Sequence, residues 1–500
     1  MQKSSLSDKV GVVVFSRVLT TLIELITGVA IIRLLSKSDF AIFSYLFMVY
    51  YTARYLASVG FPDSVFYFFE RISSDAKRAF AFQTCAILFA TGLLSSLGIL
   101  LFKHFVPNIL SDEWTVAQVA QVQTFLPYMA LIAVLEIPTW PVNNILLAAD
   151  RQKVAAWYQV ISNLLALLSL IVPLALKYPL VYALIGMSIY ALVRFIGSFI
   201  LLWKLLPGKL FTVPRETLKE QIIFAIPLGL SSLVSRLNKY IDKFVVSAFL
   251  PAAALAEYNV GAQEIPIVSV IPFAVGSVLI SRFVRFVLDE KKDELLDLWY
   301  KSIGKVSLLI VPLSVMFITV AHDFIPALFG KEYRGAIVIF QIYTLIILQR
   351  VTSYGGILQA LGDSKSVLKL SFSLLALNLA LNIPFTILWQ SEGTALATFF
   401  ANMFSWYLAL KVIGKHLDLP FYKVLPFPFY FRVLGVATAC GLASWFIRHK
   451  LLAIETPYIG LIITVSIYLT LFYVIATLLK IVTRDDWKKI SGWLGLGFLR

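Results

Sequence analysis

Apolar windows of about 20 residues recur along the whole sequence, separated only by short charged or Pro/Gly-bearing breaks. A helix of that length crosses about 30 Å of hydrocarbon, and backbone groups in lipid must be satisfied within their own segment. The pattern dictates an all-α polytopic membrane protein and excludes a barrel. Fourteen windows read as spans: 10–34, 40–60, 79–102, 122–149, 154–176, 179–203, 221–250, 257–282, 303–328, 335–361, 364–390, 392–415, 427–447 and 457–480. Composition agrees, with 59% apolar and 14% charged residues.

The first window carries Arg17 and Glu24 and lacks a small-residue cleavage pattern, so it reads as a permanent span rather than a signal peptide. Cys85 and Cys440 both fall inside apolar windows, which supports neither a disulfide framework nor a Cys-based metal site. No cofactor is expected.

The net charge of +15 is sorted by side of the membrane before it is read as affinity for a partner. With the N-terminus inside, cytoplasmic segments hold 28 of the 43 Lys and Arg residues and outer segments hold 8. The positive-inside bias therefore expects both termini to be cytoplasmic in an inner membrane, and nucleic acid is not an expected partner.

Two halves of the chain also echo each other. The turn Leu147-Ala148-Ala149-Asp150-Arg151-Gln152-Lys153 returns as Ala360-Leu361-Gly362-Asp363-Ser364-Lys365 after the tenth span. Leu35, Phe40 and Phe43 fall on Leu250, Leu255 and Tyr258, and Pro173 falls on Pro384, at nearly the same offset. This repeat divides the chain into a six-helix lobe at 1–206, a linker at 207–220 around Pro207, Gly208 and Pro214, and a second six-helix lobe at 221–416. Two appended spans follow at 417–482, with a basic tail at 483–500. Six spans per lobe make the repeats parallel, an arrangement in which two lobes rock about a central cleft.

An ionisable group near the bilayer centre costs roughly 2.5–3.5 kcal/mol, so each embedded charge needs a reason. Arg17 and Glu24 lie seven residues apart on one face of the first span. Arg54, Glu136, Arg194, Glu264 and Arg350 are embedded in the second, fourth, sixth, eighth and tenth. On the seventh span, 100° per residue places Arg236, Lys239 and Lys243 within an arc of about 60°, with Asp242 beside it. These eleven groups carry seven cations and four anions, a surplus suited to an anion, and guanidinium forks match phosphate oxygens. The candidate substrate-binding set is Arg17, Glu24, Arg54, Arg194, Arg236, Lys239, Asp242, Lys243 and Arg350.

Bland readings stand beside this one. Arg54 and Arg194 could snorkel to the inner headgroups, and Glu24, Glu136 and Glu264 could neutralise basic neighbours in structural pairs. Pro138, Pro141, Pro227, Pro266, Pro272 and the Gly355-Gly356 pair mark kinks that serve lobe motion or are ordinary features of membrane helices. No G-x-x-x-x-G-K-[ST] motif occurs. The four His residues fall at loops or span ends, against a buried His metal site or proton relay. The longest outer loop, 103–121, offers His104, Asp112 and Glu113, which read as a solvated loop rather than a catalytic set.

The sequence resembles the polysaccharide-export flippases of the multidrug/oligosaccharidyl-lipid/polysaccharide exporter superfamily. The likeness is carried by Arg33-Leu34-Leu35-Ser36-Lys37-Ser38-Asp39-Phe40 with Phe43, Ile226-Pro227 followed by Tyr240-Ile241-Asp242-Lys243, Tyr258-Asn259-Val260-Gly261, and the turn at 148–153. The resemblance implies a V-shaped pair of lobes with a cationic cavity that accepts the pyrophosphate and sugars of an undecaprenyl-linked repeat unit, while the polyprenyl tail stays in lipid. It implies as partners that lipid-linked oligosaccharide, membrane lipids, and a polymerase and other polysaccharide-assembly proteins. In related lipid II flippases Arg residues stand on the first two helices, and Arg17 and Arg54 look similar in placement. The competing readings are multidrug or cation efflux by the same superfamily fold, which needs an acidic lumen, and a polytopic glycan polymerase or ligase, which needs a larger outer domain.

Overall fold

The computed structural model describes residues 6–210, 215–263, 265, 272, 275, 279–280, 282–452 and 456–482. Glu264, Pro214, Pro266 and the basic tail lie outside the described residues. Among the described residues every regular element is helical, and nine helices are long and apolar enough to cross a membrane. The shorter apolar helix Ala336–Ile347 adds to these. The chain forms two compact units, Met1–Ala256 and Glu257–Arg500.

The first unit contains α1 (Leu6–Leu34), α2 (Lys37–Ser58), α3 (Phe61–Phe69), α4 (Lys77–Phe102), the single turn α5 (Val106–Ile109) and α6 (Val116–Glu136). It continues with α7 (Val142–Ala148), α8 (Gln152–Ala175), α9 (Leu180–Leu205), α10 (Arg215–Leu237) and α11 (Ile241–Phe249), and α12 (Ala252–Gly261) begins within it. Helix α1 packs along α8, α6 lies between α4 and α9, and α10 packs on α3 and α2.

Helix starts follow the local sequence. The Ser36 hydroxyl caps α2 by accepting from Asp39 N at 3.1 Å, and it donates to Asp39 Oδ2 at 2.7 Å. Thr115 and Gln118 form a reciprocal capping box at the start of α6. Gln118 Nε2 then donates to Ser38 Oγ at 2.7 Å, which ties α6 to α2 at the same level. The 103–121 loop is also anchored: the Trp114 indole is buried and donates to Leu250 O at 3.1 Å.

Two expected spans of the first unit are interrupted, and a third ends in a sharp turn. The second ends, as expected near residue 60, in a turn at Val59 and Gly60, both with positive φ (31° and 74°), from which α3 starts. The turn passes so close to α10 that a Cβ on Gly229 would sit 2.4 Å from Gly60 N, and one on Gly60 would sit 2.3 Å from Ala225 O. Only paired glycines permit that crossing. The fourth span breaks at Ile137–Thr139, as Pro138 and Pro141 foretell. The seventh breaks at Asn238–Tyr240, not at Pro227, through which α10 runs on.

In the second unit α13 (Lys292–Phe329) packs against α14 (Ala336–Ile347), α17 (Phe427–Phe446) and α18 (Pro457–Leu478). At about 57 Å, α13 exceeds the hydrocarbon thickness, so its charged first turns extend past it. A break at 348–353 precedes α15 (Tyr354–Ala360), so Gly355 and Gly356 lie in the first turn after it, where Gly356 N donates to Ser353 Oγ at 3.3 Å. The long stretch α16 (Ser364–Leu417) reverses at Trp389 and Gln390, whose backbone is non-helical. Its arms run antiparallel: Thr386 and Thr394 hydroxyls meet at 2.6 Å, and Thr398 donates to Asn378 Oδ1 at 3.2 Å. The expected spans 364–390 and 392–415 are these two arms.

At the end of α16 outside the apolar region, Asp363 accepts from Ser366 N at 3.0 Å and meets His416 Nε2 at 2.8 Å. Hydrogen bonds from Ser366, then from His416, hold its carboxyl down at about 2. At the other end, the π-helical turn Ile447–Leu451 turns Arg448 inward onto Asp323, with Nε–Oδ2 3.2 Å and Nη2–Oδ1 2.9 Å. Arg448 is thus a buried partner and not an outer-loop charge.

Candidate functional site in the first unit

Several embedded charges converge where the interrupted helices meet. The break at 137–141 presents the Trp140 indole, and α2 brings Arg54 over it, with Cζ 4.1 Å from the ring centroid. From α10, Arg236 sits 5.8 Å from the same centroid and 4.6 Å from that of Tyr55. Tyr240, in the turn between α10 and α11, stacks on Tyr51 and tilts against Tyr55, while Lys243 Nζ lies 5.7 Å from its centroid. The result is a patch of aromatic faces shared by basic groups. Such contacts are worth about 0.5–2 kcal/mol each and hold cations without neutralising them.

One carboxylate lies behind the patch. Glu136, buried at 5% exposure, accepts from Tyr50 Oη and from Arg194 Nη1 at 3.1 Å. Arg194 is held further by Tyr190 and Tyr158, its Nη1 and Nε donating at 3.1 and 3.3 Å. Arg194 and Glu136 therefore form an internal ion pair, and the snorkelling alternative for Arg194 is set aside. Arg54 also points inward, but its Nε is buried with no hydrogen-bond partner among the described residues. A buried donor left unpaired costs about 1–3 kcal/mol, more when charged, and an incoming anion would relieve it.

The other expected site residues are placed less uniformly. The 60° arc assumed one unbroken helix, and the turn at Asn238–Tyr240 interrupts it. Short i→i+3 bonds from Lys239 N to Arg236 O (3.1 Å) and Tyr240 N to Leu237 O (2.9 Å) tighten the chain there, leaving Lys239 exposed. Asp242 is buried, and its Oδ1 accepts from Lys243 N at 2.8 Å. Arg17 and Glu24 lie on an exposed face of α1, where Glu24 accepts from Asn163 Nδ2 at 3.0 Å and lies in electrostatic range of Arg17 and Tyr51. Arg350 belongs to the second unit.

The aromatic members went unread in the sequence. Tyr51 and Tyr55 flank Arg54 at i, i+4 spacing, a legible sign of a shared face. Trp140 between two prolines carries no such periodicity. No cluster of three or more His, Cys, Asp or Glu suited to a metal occurs among the described residues.

This all-helical, multi-pass chain shares the fold of solved membrane transporters. It is similar to a lipid II flippase, MurJ, in an inward closed conformation: TM-score 0.68, 16% identity, 94% of this chain and 99% of that one. It is also similar to an inward-facing multidrug resistance MATE family transporter of the MOP superfamily, with TM-score 0.64 and 15% identity over 80% of this chain and 94% of that one. Residues 6–287 match the polysaccharide biosynthesis protein family, and the chain belongs to that family. The lipopolysaccharide biosynthesis protein WzxC of Escherichia coli K12 is 23% identical over 256 residues, 47% of this chain. That match spans half the length of WzxC.

Proposed function

We propose that the chain translocates an undecaprenyl-pyrophosphate-linked oligosaccharide from the cytoplasmic to the outer leaflet of the inner membrane, for surface polysaccharide biosynthesis. Fourteen spans would form two six-helix repeats, 1–206 and 221–416, with two more at 417–482, and alternating access would move the head group. Both termini would be cytoplasmic.

The observation that carries the reading is the pair of guanidinium groups, Arg54 and Arg236, stacked on one indole with Arg54 Nε buried and unpaired. Aromatic faces spread the cations without supplying a counter-charge, so the patch suits a phosphate. Membership of a polysaccharide biosynthesis family supports a glycan-bearing substrate. The likeness to a lipid II flippase supports a lipid-linked one.

The test is export of a lipid-linked glycan by Arg236→Ala and Arg54→Ala proteins in cells deleted for the native copy, with membrane insertion checked by detergent extraction and gel filtration. Loss of export in both, with normal insertion, is expected. Full export by both would sink the assignment, and drug resistance without glycan export would favour the efflux reading.

A further inference from the structure

A second polar site lies in the second unit. A pocket of about 280 Å³ forms where the break at 348–353 faces both arms of α16. One arm lines it at positions 367, 370, 371 and 374 and the other at 402, 405, 406 and 409, each an i, i+3, i+4, i+7 stripe. The break supplies Gln349, Arg350 and Thr352, and Tyr354 follows.

The lining is unusual for a membrane interior. Trp406 Nε1 donates to Tyr354 Oη at 2.8 Å, which donates to Gln349 O at 2.8 Å, so both aromatic groups are fixed. Gln349 Nε2 donates to Asn402 Oδ1 at 3.3 Å, and Asn402 Nδ2 to Thr398 O at 2.8 Å. Fixed aromatic rims, planar amides, the hydroxyls of Ser371 and Ser405, and one guanidinium combine apolar faces with bidentate polar edges. Those are the features of a sugar ring, whose C–H faces are apolar and whose rim is hydroxylated. The volume admits one ring, below the 300–1,000 Å³ typical of larger ligands. Arg350 adds a fork matched to a carboxylate.

We propose that this pocket binds a single acidic sugar, a hexuronate-type residue of the transported glycan, with Arg350 reading the carboxylate and the Trp406–Tyr354–Gln349–Asn402 network positioning the ring. The proposal rests on the glycan-transport reading above. It begins one turn beyond Asp363, on the side where Lys365 and Lys369 place the cytoplasm, so the sugar would be met as the substrate loads.

The full-length protein in lipid nanodiscs is titrated with glucuronate, glucose and inorganic pyrophosphate, with binding read by saturation-transfer NMR. Glucuronate is expected to bind at least about tenfold tighter than glucose. Arg350→Gln should remove that preference while glucose binding stays; Asn402→Ala should weaken both sugars; Arg236→Ala should leave glucuronate binding intact. Arg350→Lys, which keeps the charge and loses the fork, should fall between. Unfolding temperature and gel filtration confirm that each variant is folded. Equal binding of the two sugars, an Arg350→Gln protein that keeps the preference, or pyrophosphate displacing glucuronate would each overturn the proposal. Flipping of lipid-linked glycan without uronate preference defeats this inference alone, whereas uronate binding without any flipping defeats the transport reading alone.

Discussion

Arg54 holds its guanidinium carbon 4.1 Å from the ring centroid of Trp140, and that indole is itself presented by a proline-broken stretch between α6 and α7. Arg236 approaches the same ring from α10, so one side chain organises two cations on separate helices. Trp140→Leu is expected to cut glycan export at least about tenfold while leaving the amount of inserted protein unchanged, because each cation–π contact is worth about 0.5–2 kcal/mol. Trp140→Phe, a weaker platform, should retain part of the export. The comparison is made by surface-glycan immunoblot against membrane protein level, and wild-type export by Trp140→Leu would refute it.

The Glu136–Arg194 pair has a different consequence. Their side chains are 6% and 15% exposed, so removing one partner strands a charge in the interior. Glu136→Leu should destabilise the protein by about 3–5 kcal/mol in a detergent unfolding assay. The double variant Glu136→Leu/Arg194→Leu should recover most of that loss. Additive losses in the two single variants and the double would mean that the pair is not coupled.

Gly460 backs the Arg448–Asp323 pair so closely that a Cβ there would lie 2.6 Å from both Arg448 Nε and Nη2. Gly460→Ala should push the guanidinium off its carboxylate and cost about 1.5–3 kcal/mol, the worth of a hydrogen bond to a charged group. An Asp323→Asn background should blunt that effect, because the strong pair is already gone. Unfolding midpoints of the four proteins decide the matter.

Asp363 titrates outside the membrane. Its folded carboxyl stands near about 2, below the ordinary 3.8, with Ser366 the larger cause and His416 the smaller. A depressed acid stabilises the fold fully above its ordinary value, and that contribution is lost as pH falls from about 4 through about 2. Carboxyl-carbon NMR should find the Asp363 midpoint near about 2, and Ser366→Ala should raise it further than His416→Ala does. A midpoint near 4 in the wild-type protein would contradict the clasp.

Membrane class and helix positions were legible because lipid imposes a length and an apolar composition on each span, and these are local properties. Thus the two arms of α16 and their reversal near Trp389 match windows read from hydropathy alone. The family was legible in short motifs such as Ser36–Asp39, whose side chains cap α2. The embedded arginines stood out because a charge in an apolar window is costly wherever the helix goes.

Which of those charges meet was another matter. Helical periodicity placed Arg236 and Lys239 on one arc, but the chain leaves the α-helix at Asn238–Tyr240, and Lys239 is exposed while Arg236 is half-buried against Tyr55. The partner of Glu136 could not be chosen among several basic residues until α9 brought Arg194 to 3.1 Å. Trp140 joined Arg54 and Arg236 from the break between α6 and α7, and Arg448 found Asp323 through a π-helical turn. Hydropathy and period act along the chain and so set the spans; pairing acts across it, and depends on where each helix stops being regular.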